Sequence, residues 1–346
     1  MTQTTQIPSS DFAQAGLHQT QLRQVMTELQ RVIVGQERVL ERVLVALLAG
    51  GHCLLEGVPG LGKTLTVSTL AKTLGGTFTR IQFTPDLLPS DIVGTRIYRP
   101  STESFDVVLG PVFANFVLAD EINRAPAKVQ SALLEVMAER QISVGGITYP
   151  LPAPFLVLAT QNPIESEGVY PLPEAQRDRF LMRIPVDYPT ALEEHVIVER
   201  SSQTVGTPMA LLSTEDVAGL QRAAAGVYVD RAVQDYAIRL VLATRHPSEH
   251  GVKIDGLLSY GASPRASIGL ISAGRALALL RGRDHLLPQD VYDISYDVLN
   301  HRLVLSFDAV ADGVSVDDVL VEVLTTVVAP RLSSSQVAGS QAGPVG

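Results

Sequence analysis

An α/β fold, in which a mostly parallel sheet carries helices on both faces and is followed by a smaller helical domain, is predicted by three observations. Between residues 50 and 190, short apolar runs alternate with segments whose apolar residues recur at helical spacing. The first such run is joined to the next helical pattern by the glycine-rich loop GVPGLGKT. After Pro189 the strand-like runs stop and only helical patterns remain.

Leu22, Val25, Leu29 and Val32 recur on one helix face, and QERVLERVLVALLAG continues the pattern as far as Gly50 and Gly51, which stop it. HCLLE is the first strand. KTLTVSTLAKTLG then forms a helix pattern closed by Gly75 and Gly76. TFTRIQF, NFVLADE, PFLVLATQN and RFLMRIPV are further strand candidates, separated by helical stretches such as PAKVQSALLEVMAER. Segments 94–110 and 141–152 interrupt the alternation. Each has alternating apolar residues about a polar or Gly-Gly turn and is expected to be an inserted β-hairpin.

STEDVAGLQRAAAG, DRAVQDYAIRLVLATR, SPRASIGLISAGRALALLRGR, LPQDVYDISYDVLNHRL and SVDDVLVEVLTTVV supply the helices of the second domain. The chain therefore divides into a loose N-terminal tail (1–17), an α/β domain (18–190), a helical domain (191–330) and a disordered C-terminal tail (331–346). No internal repeat is visible.

A chain of 346 residues with 46% hydrophobic and 18% charged residues has a globular composition and room for about two domains. The apolar stretch VLVALLAGGHCLL is interrupted at Gly50, Gly51 and His52, short of the roughly 18 consecutive apolar residues of a membrane span. The first residues lack the basic start and apolar centre of a secretory leader. Cys53 is the single cysteine, so no intrachain disulfide can form and a reducing, cytoplasmic setting is expected. The net charge is −9, there is no run of Lys or Arg, and none of either lies between Gln141 and Gln176. That balance argues against a dedicated nucleic-acid binder, which carries a basic excess or stripe.

Gly57, Gly62, Lys63 and Thr64 fit the pattern G-x-x-x-x-G-K-[ST] in the strand–loop–helix context that it requires. Glycines let backbone N–H groups converge on phosphate oxygens, and the following helix directs its positive end at the same charge. Lys63 can reach the β- and γ-phosphates, and the Thr64 hydroxyl can ligate Mg²⁺. NFVLADE ends in Asp120 and Glu121 at the sheet edge expected to face this loop. Asp120 can hold Mg²⁺ directly or through water, and Glu121 can accept a proton from an attacking water or orient it. Taken alone, such a pair is an ordinary solvated strand end; beside a phosphate loop it gains a use.

Asn162, at the end of FLVLATQN, can position the same water, although Asn-Pro is also a common strand breaker. Arg177 and Arg179 in PEAQRDRF, and Arg265 in GASPRAS, are candidates for stabilising a transferring phosphoryl group; singly, each would read as a surface ion pair. His246 and His250 are four apart, but Pro247, Gly251 and the lack of a third ligand favour a solvated loop over a metal site. Cys53 lies in an apolar strand and is expected simply to pack.

In this order, GVPGLGKT, VLADEINRAP, ATQNP, LPEAQRDRF and GASPRA resemble the MoxR family of AAA+ ATPases, over about Val34 to Val328. The resemblance implies a P-loop AAA+ core with inserted hairpins, a small α-helical lid, and ATP with Mg²⁺ bound between them. It makes Gly57, Val58, Pro59, Gly60, Leu61, Gly62, Lys63 and Thr64, with Leu65 following, the Walker A loop. Asp120 and Glu121 become Walker B, Asn162 sensor 1 and Arg265 sensor 2. Val34, Gly35 and Gln36 resemble the segment beside the adenine.

The 94–110 hairpin resembles the family's insert in its second helix, and 141–152 the hairpin before the sensor strand. Arg179 corresponds to the finger that reaches a neighbour's nucleotide, which implies a homo-oligomer, typically a hexameric ring. Members of that family carry EAQLDRF where this chain has Arg177 in place of the leucine. Arg177 and, less directly, Arg124 therefore remain alternatives for the finger.

Three uses of such an ATPase are open. The resemblance implies a chaperone-like remodeller or activator of partner proteins, commonly proteins with a von Willebrand factor A domain. Tyr98, Phe105 and Tyr149 on the hairpins offer contact surface for polypeptide or pack against their own domain. A DNA-translocating ring motor would need Lys or Arg on those hairpins, and only Arg96 and Arg99 occur there, beside Glu103 and Asp106. A phosphotransferase or nucleotide switch shares the phosphate loop, but Glu121 after Asp120 favours water as the nucleophile.

Overall fold

The structure, a computed structural model, describes residues 9–58, 60–101, 103–162, 168–201 and 206–331. Helices α1 (Ser9–Val32) and α2 (Glu37–Leu48) precede β1 (Cys53–Glu56), and the glycine-rich loop leads into α3 (Lys63–Thr73). β2 (Phe78–Gln82), a short α4 (Pro89–Val93) and the hairpin β3 (Gly94–Arg99)–β4 (Ser104–Leu109) follow. Next come β5 (Phe116–Asp120), α5 (Ala127–Glu139), the hairpin β6 (Gln141–Val144)–β7 (Ile147–Pro150), β8 (Leu156–Gln161), α6 (Glu174–Arg177) and β9 (Met182–Pro185).

The remainder comprises α7 (Ala191–Ser201), α8 (Thr214–Gly226), α9 (Arg231–Ala243), β10 (Leu258–Tyr260), α10 (Pro264–Leu280), α11 (Pro288–Leu299), β11 (Val304–Leu305), α12 (Phe307–Ala311) and α13 (Val316–Thr326). No helix among the described residues is long and apolar enough to cross a membrane.

Among the described residues, five strands form one parallel sheet in the order β2-β5-β8-β1-β9. Because all five run the same way, the ends of β1, β2, β5 and β8 share one edge, where Glu56 pairs with Gln161 and Gln82 with Asp120. The two-residue period of a strand assigns side chains to opposite faces. Cys53, Leu55, Phe116, Leu118, Leu156, Leu158, Met182 and Ile184 enter one core, whereas Leu54, Val117, Ala119, Val157 and Ala159 enter a second, against α5 and the hairpins. Burying a side chain the size of Leu55 or Phe116 contributes about 1.5–3 kcal/mol.

The first core is continuous with the helical region, since Leu240, Leu270, Ile294 and Val298 belong to it together with Val25, Leu44 and Leu70. The apolar interior is thus divided by the sheet rather than between residues 190 and 191. A polar lock fixes the same junction. Asp297 of α11, fully buried, accepts from Arg38 Nη2 at 2.6 Å and Arg42 Nε at 2.7 Å, both on α2. Burial raises its carboxyl pKa above the ordinary value, and the two guanidinium groups offset only part of that rise.

Three expectations need correction. Helix α1 begins at Ser9, inside the segment 1–17 expected to be a loose tail. Residues 9–17 contain no proline and only one glycine, so helix propensity carries the first turns although the apolar stripe starts later. The region after Pro189 is not wholly helical, because β10 and β11 form an antiparallel pair. Strands of three and two residues are too short for alternation to reveal them.

The 94–110 hairpin directly follows α4, and the chain turns from β4 into β5 without resuming a helix, so it ends a helix rather than interrupting one. Both hairpins themselves form as expected, with Tyr98 opposite Phe105 and Ile142 opposite Tyr149. Residues 332–346 and Pro59 lie outside the described residues.

Candidate functional site

Two cavities meet at the glycine-rich loop and share Gly60, Leu61 and Gly62 as a common wall. One, of about 240 Å³, is lined by Gly57, Lys63, Thr64, Arg80, Asp120, Glu121, Thr160, Gln161 and Asn162. The other, of about 290 Å³, is mainly apolar and lined by Val32, Ile33, Val34, Gln36, Leu65, Pro189, Ile197 and Arg200. A charged chamber and an apolar one on either side of a phosphate-type loop match the two ends of a nucleotide.

The loop owes its shape to backbone requirements. Gly60 and Gly62 have φ values of 88° and 72°, in the left-handed region that favours glycine. Gly57 is constrained differently, since a Cβ there would lie 2.5 Å from the Val186 carbonyl oxygen. Lys63 opens α3, and its Nζ donates to the Gly57 carbonyl at 2.5 Å, lying back across the loop. Burial pushes its ammonium pKa down, against the opposing pull of Asp120, Glu121 and Glu56. On the other side, Gln36 Nε2 donates to Leu61 O at 2.8 Å and ties the Val34–Gln36 segment to the loop. A Cβ at Gly35 would collide with the Glu193 carboxylate of α7, and Val58 lies within the loop but lines neither cavity.

At the sheet edge, a ring of hydrogen bonds joins the two acids. Thr160 Oγ1 donates to Asp120 Oδ1 at 2.6 Å and accepts from the Glu121 N–H at 2.8 Å. Arg80 donates to Asp120 Oδ2 from Nη2 at 2.6 Å and Nε at 3.1 Å, and to Gln82 Oε1 at 2.8 Å. Gln82 Nε2 completes the ring on Glu121 Oε2 at 2.7 Å. Glu121 sits in the left-handed region at φ 56°, and Arg124 Nε lies 3.1 Å from its Oε2.

Thr64 and Asp120 supply the hard oxygen donors that Mg²⁺ takes, and both face the charged chamber with Glu121 and the buried Asn162. These residues fit such a cation. Arg80, Gln82 and Thr160 were not anticipated from the sequence. The available signal was the alternation Thr79-Arg80-Ile81-Gln82, which puts two polar side chains on one face beside the strand that ends in Asp120.

Arg265 and Arg179 line neither cavity. Arg265 is exposed at the start of α10, with Nη1 3.5 Å from Asp178. Arg179 Nη1 donates to Leu134 O at 2.8 Å, and Arg177 lies 3.6 Å from Glu174. The structure thus brings Lys63, Thr64, Asp120, Glu121 and Asn162 together and leaves the three arginines outside. Elsewhere, Pro247–His250 forms a 3-10 turn, and no cluster of three metal-ligating side chains occurs among the described residues. Cys53 is fully buried, with its thiol pKa pushed up by burial.

A parallel sheet with the loop at its edge, a second strand ending in two acids and a helical lid together define an AAA-type ATPase. The model of the ATPase family associated with various cellular activities matches residues 52–182, and that of the AAA lid domain matches residues 254–339. Chaperone MoxR1 of Mycobacterium tuberculosis is 57% identical over 94% of this chain and 86% of its own length. Protein MoxR of Paracoccus denitrificans is 37% identical over 82% of this chain and 88% of its own. The crystal structure of a candidate ATPase from Cytophaga hutchinsonii superposes with a TM-score of 0.87 at 46% identity, covering 92% of this chain and 98% of the other. The chain belongs to the MoxR family of AAA ATPases.

Proposed function

We propose that the chain hydrolyses ATP with Mg²⁺ at the shared boundary of the two cavities and uses the cycle to remodel or activate partner proteins. The observation that carries this is the common Gly60–Leu61–Gly62 wall, which allows one nucleotide to place its base in the apolar chamber and its phosphates in the charged one. The lining of the apolar chamber by Val34 and Gln36, with Gly35 between them, supports this placement of the base.

Lys63 and the N-terminus of α3 bind and orient the phosphates. Thr64 and Asp120 would hold the cation, which when bound neutralises phosphate charge. Glu121 accepts the proton of the attacking water, after exchanging its contacts with Gln82 and Arg124, and Asn162 orients that water. Residues 18–190 act as the nucleotide-binding unit and 191–330 as its lid. Arg265 reaches the phosphates by leaving Asp178, and Arg179, exposed at the end of the α6 segment, serves the site of an adjacent subunit in a homo-oligomeric, hexameric ring in the cytoplasm.

Protein clients, including proteins with a von Willebrand factor A domain, are favoured over DNA. On the β3–β4 hairpin Arg99 is paired with Asp106, and Arg96 lies over the Phe105 ring at 4.8 Å, so both arginines are engaged within the hairpin. Ile97, Tyr98, Phe105 and Val108 are exposed there and offer an apolar surface suited to polypeptide.

Turnover per subunit against protein concentration, with mass measured alongside, tests the shared site. Turnover should rise with assembly and be lost in Arg179→Ala but not Arg177→Ala, with ATP binding kept in both. A rate independent of concentration and unchanged in both variants would mean a site complete within one chain.

A further inference from the structure

We propose that Arg80 controls access of the divalent cation to Asp120, its guanidinium occupying the carboxylate oxygen that the cation needs and so setting the cation concentration at which nucleotide binds. This rests on the Mg²⁺–nucleotide reading of the charged cavity. The two oxygens of Asp120 are engaged unequally. Oδ1 accepts from the neutral Thr160 hydroxyl, an arrangement compatible with a cation on the other oxygen. Oδ2 takes both Nε and Nη2 of Arg80, a two-pronged contact from a full positive charge. A guanidinium and a divalent cation cannot share that oxygen without strong like-charge repulsion.

The strand geometry makes the exchange feasible. β2 is an edge strand, and the Arg80 side chain is 49% exposed, so the guanidinium has solvent to move into. Arg80 also lines the cavity that contains Lys63 and Thr64, so a released guanidinium remains close to phosphate oxygens. Its departure frees Gln82 Oε1 as well, which loosens the ring that holds Glu121. An ordinary half-exposed ion pair would do none of this, and its removal would leave cation dependence unchanged.

The test is binding of a fluorescent, non-hydrolysable ATP analogue to the full chain, titrated with MgCl₂, for the wild type, Arg80→Met and Arg80→Lys. Losing one charge-assisted contact on Asp120 should lower the half-saturating Mg²⁺ concentration of Arg80→Met about tenfold. Arg80→Lys, which keeps the charge but loses the fork, should lower it by a smaller factor, and serves alone if Arg80→Met does not fold. A half-saturating concentration that is unchanged or raised would overturn the proposal. So would loss of analogue binding at every Mg²⁺ concentration in a folded variant, which would make Arg80 a phosphate ligand instead. Wild-type binding indifferent to Mg²⁺ would overturn the underlying Mg²⁺–nucleotide reading too, whereas dependent wild type with unchanged variants would sink this inference alone.

Discussion

Asp178 accepts a hydrogen bond from Arg302 Nε at 2.8 Å, and this pair ties the segment between the two candidate finger arginines to the lid. Arg302 is almost wholly buried and also donates to Phe180 O at 2.6 Å and Leu181 O at 3.1 Å, while Ser263 Oγ donates to Asp178 Oδ2 at 2.9 Å. Replacing Arg302 with Met leaves a mostly buried carboxylate with weaker compensation and is expected to lower stability by about 3 kcal/mol. Urea unfolding of Arg302→Met measures this; an unchanged midpoint would show that the pair merely decorates the junction.

Two loop glycines are expected to fail for different reasons. In Gly57→Ala the new methyl would meet backbone, the Val186 carbonyl at 2.5 Å, so β9 or the loop must shift and ATP affinity should fall by tenfold or more. Gly60→Ala meets open space and carries only the cost of a left-handed alanine, about 1 kcal/mol. Calorimetric ATP binding separates them; equal losses would mean that torsion rather than contact governs the loop.

Acid sensitivity should arise in part at His52. Its Nδ1 accepts from the Val157 N–H at 3.0 Å and its Nε2 faces Met137 O at 3.2 Å, so the buried ring is the neutral Nε2–H tautomer. Burial holds its pKa down at about 4 from the ordinary 6.5. The unfolded chain therefore binds a proton first as pH falls, and stability present above pH 6.5 is lost progressively down to about pH 4, by roughly 3 kcal/mol in total. Denaturation at pH 7.5 and 5.0 should show a smaller pH-dependent loss in His52→Gln than in the wild type. Identical losses would place the acid sensitivity elsewhere.

The hairpin aromatics divide by burial. Tyr98 and Phe105 are 49% and 58% exposed and meet with tilted rings, centroids 5.2 Å apart, whereas Tyr149 packs partly against the second core. Phe105→Ala should leave the melting temperature within a few degrees, as surface changes do, and reduce client-stimulated turnover. Tyr149→Ala should lower stability first. Stimulation unaffected by Phe105→Ala would remove this hairpin from the client path.

The strands, the phosphate loop and the Asp120–Glu121 pair were legible because each leaves a local pattern: an apolar run, a glycine spacing, two acids after a strand. What escaped depends on register across the sheet. Arg80 resembles any solvated edge-strand residue until pairing sets Gln82 beside Asp120. Asp178 is one acid between two arginines until the fold brings Arg302 to it from 124 residues away. The start of α1 and the β10–β11 pair were missed for lack of an apolar period, since propensity and brief pairing form them instead.

We propose Glu121 as the base that activates the water cleaving ATP bound across the two cavities. Glu121→Gln keeps the side-chain volume and a carbonyl oxygen but cannot take a proton. It should bind ATP with near wild-type affinity and lose turnover by about 10²–10⁴-fold in single-turnover assays, accumulating an ATP-bound state. Wild-type turnover in a variant that still binds ATP would remove Glu121 as the base.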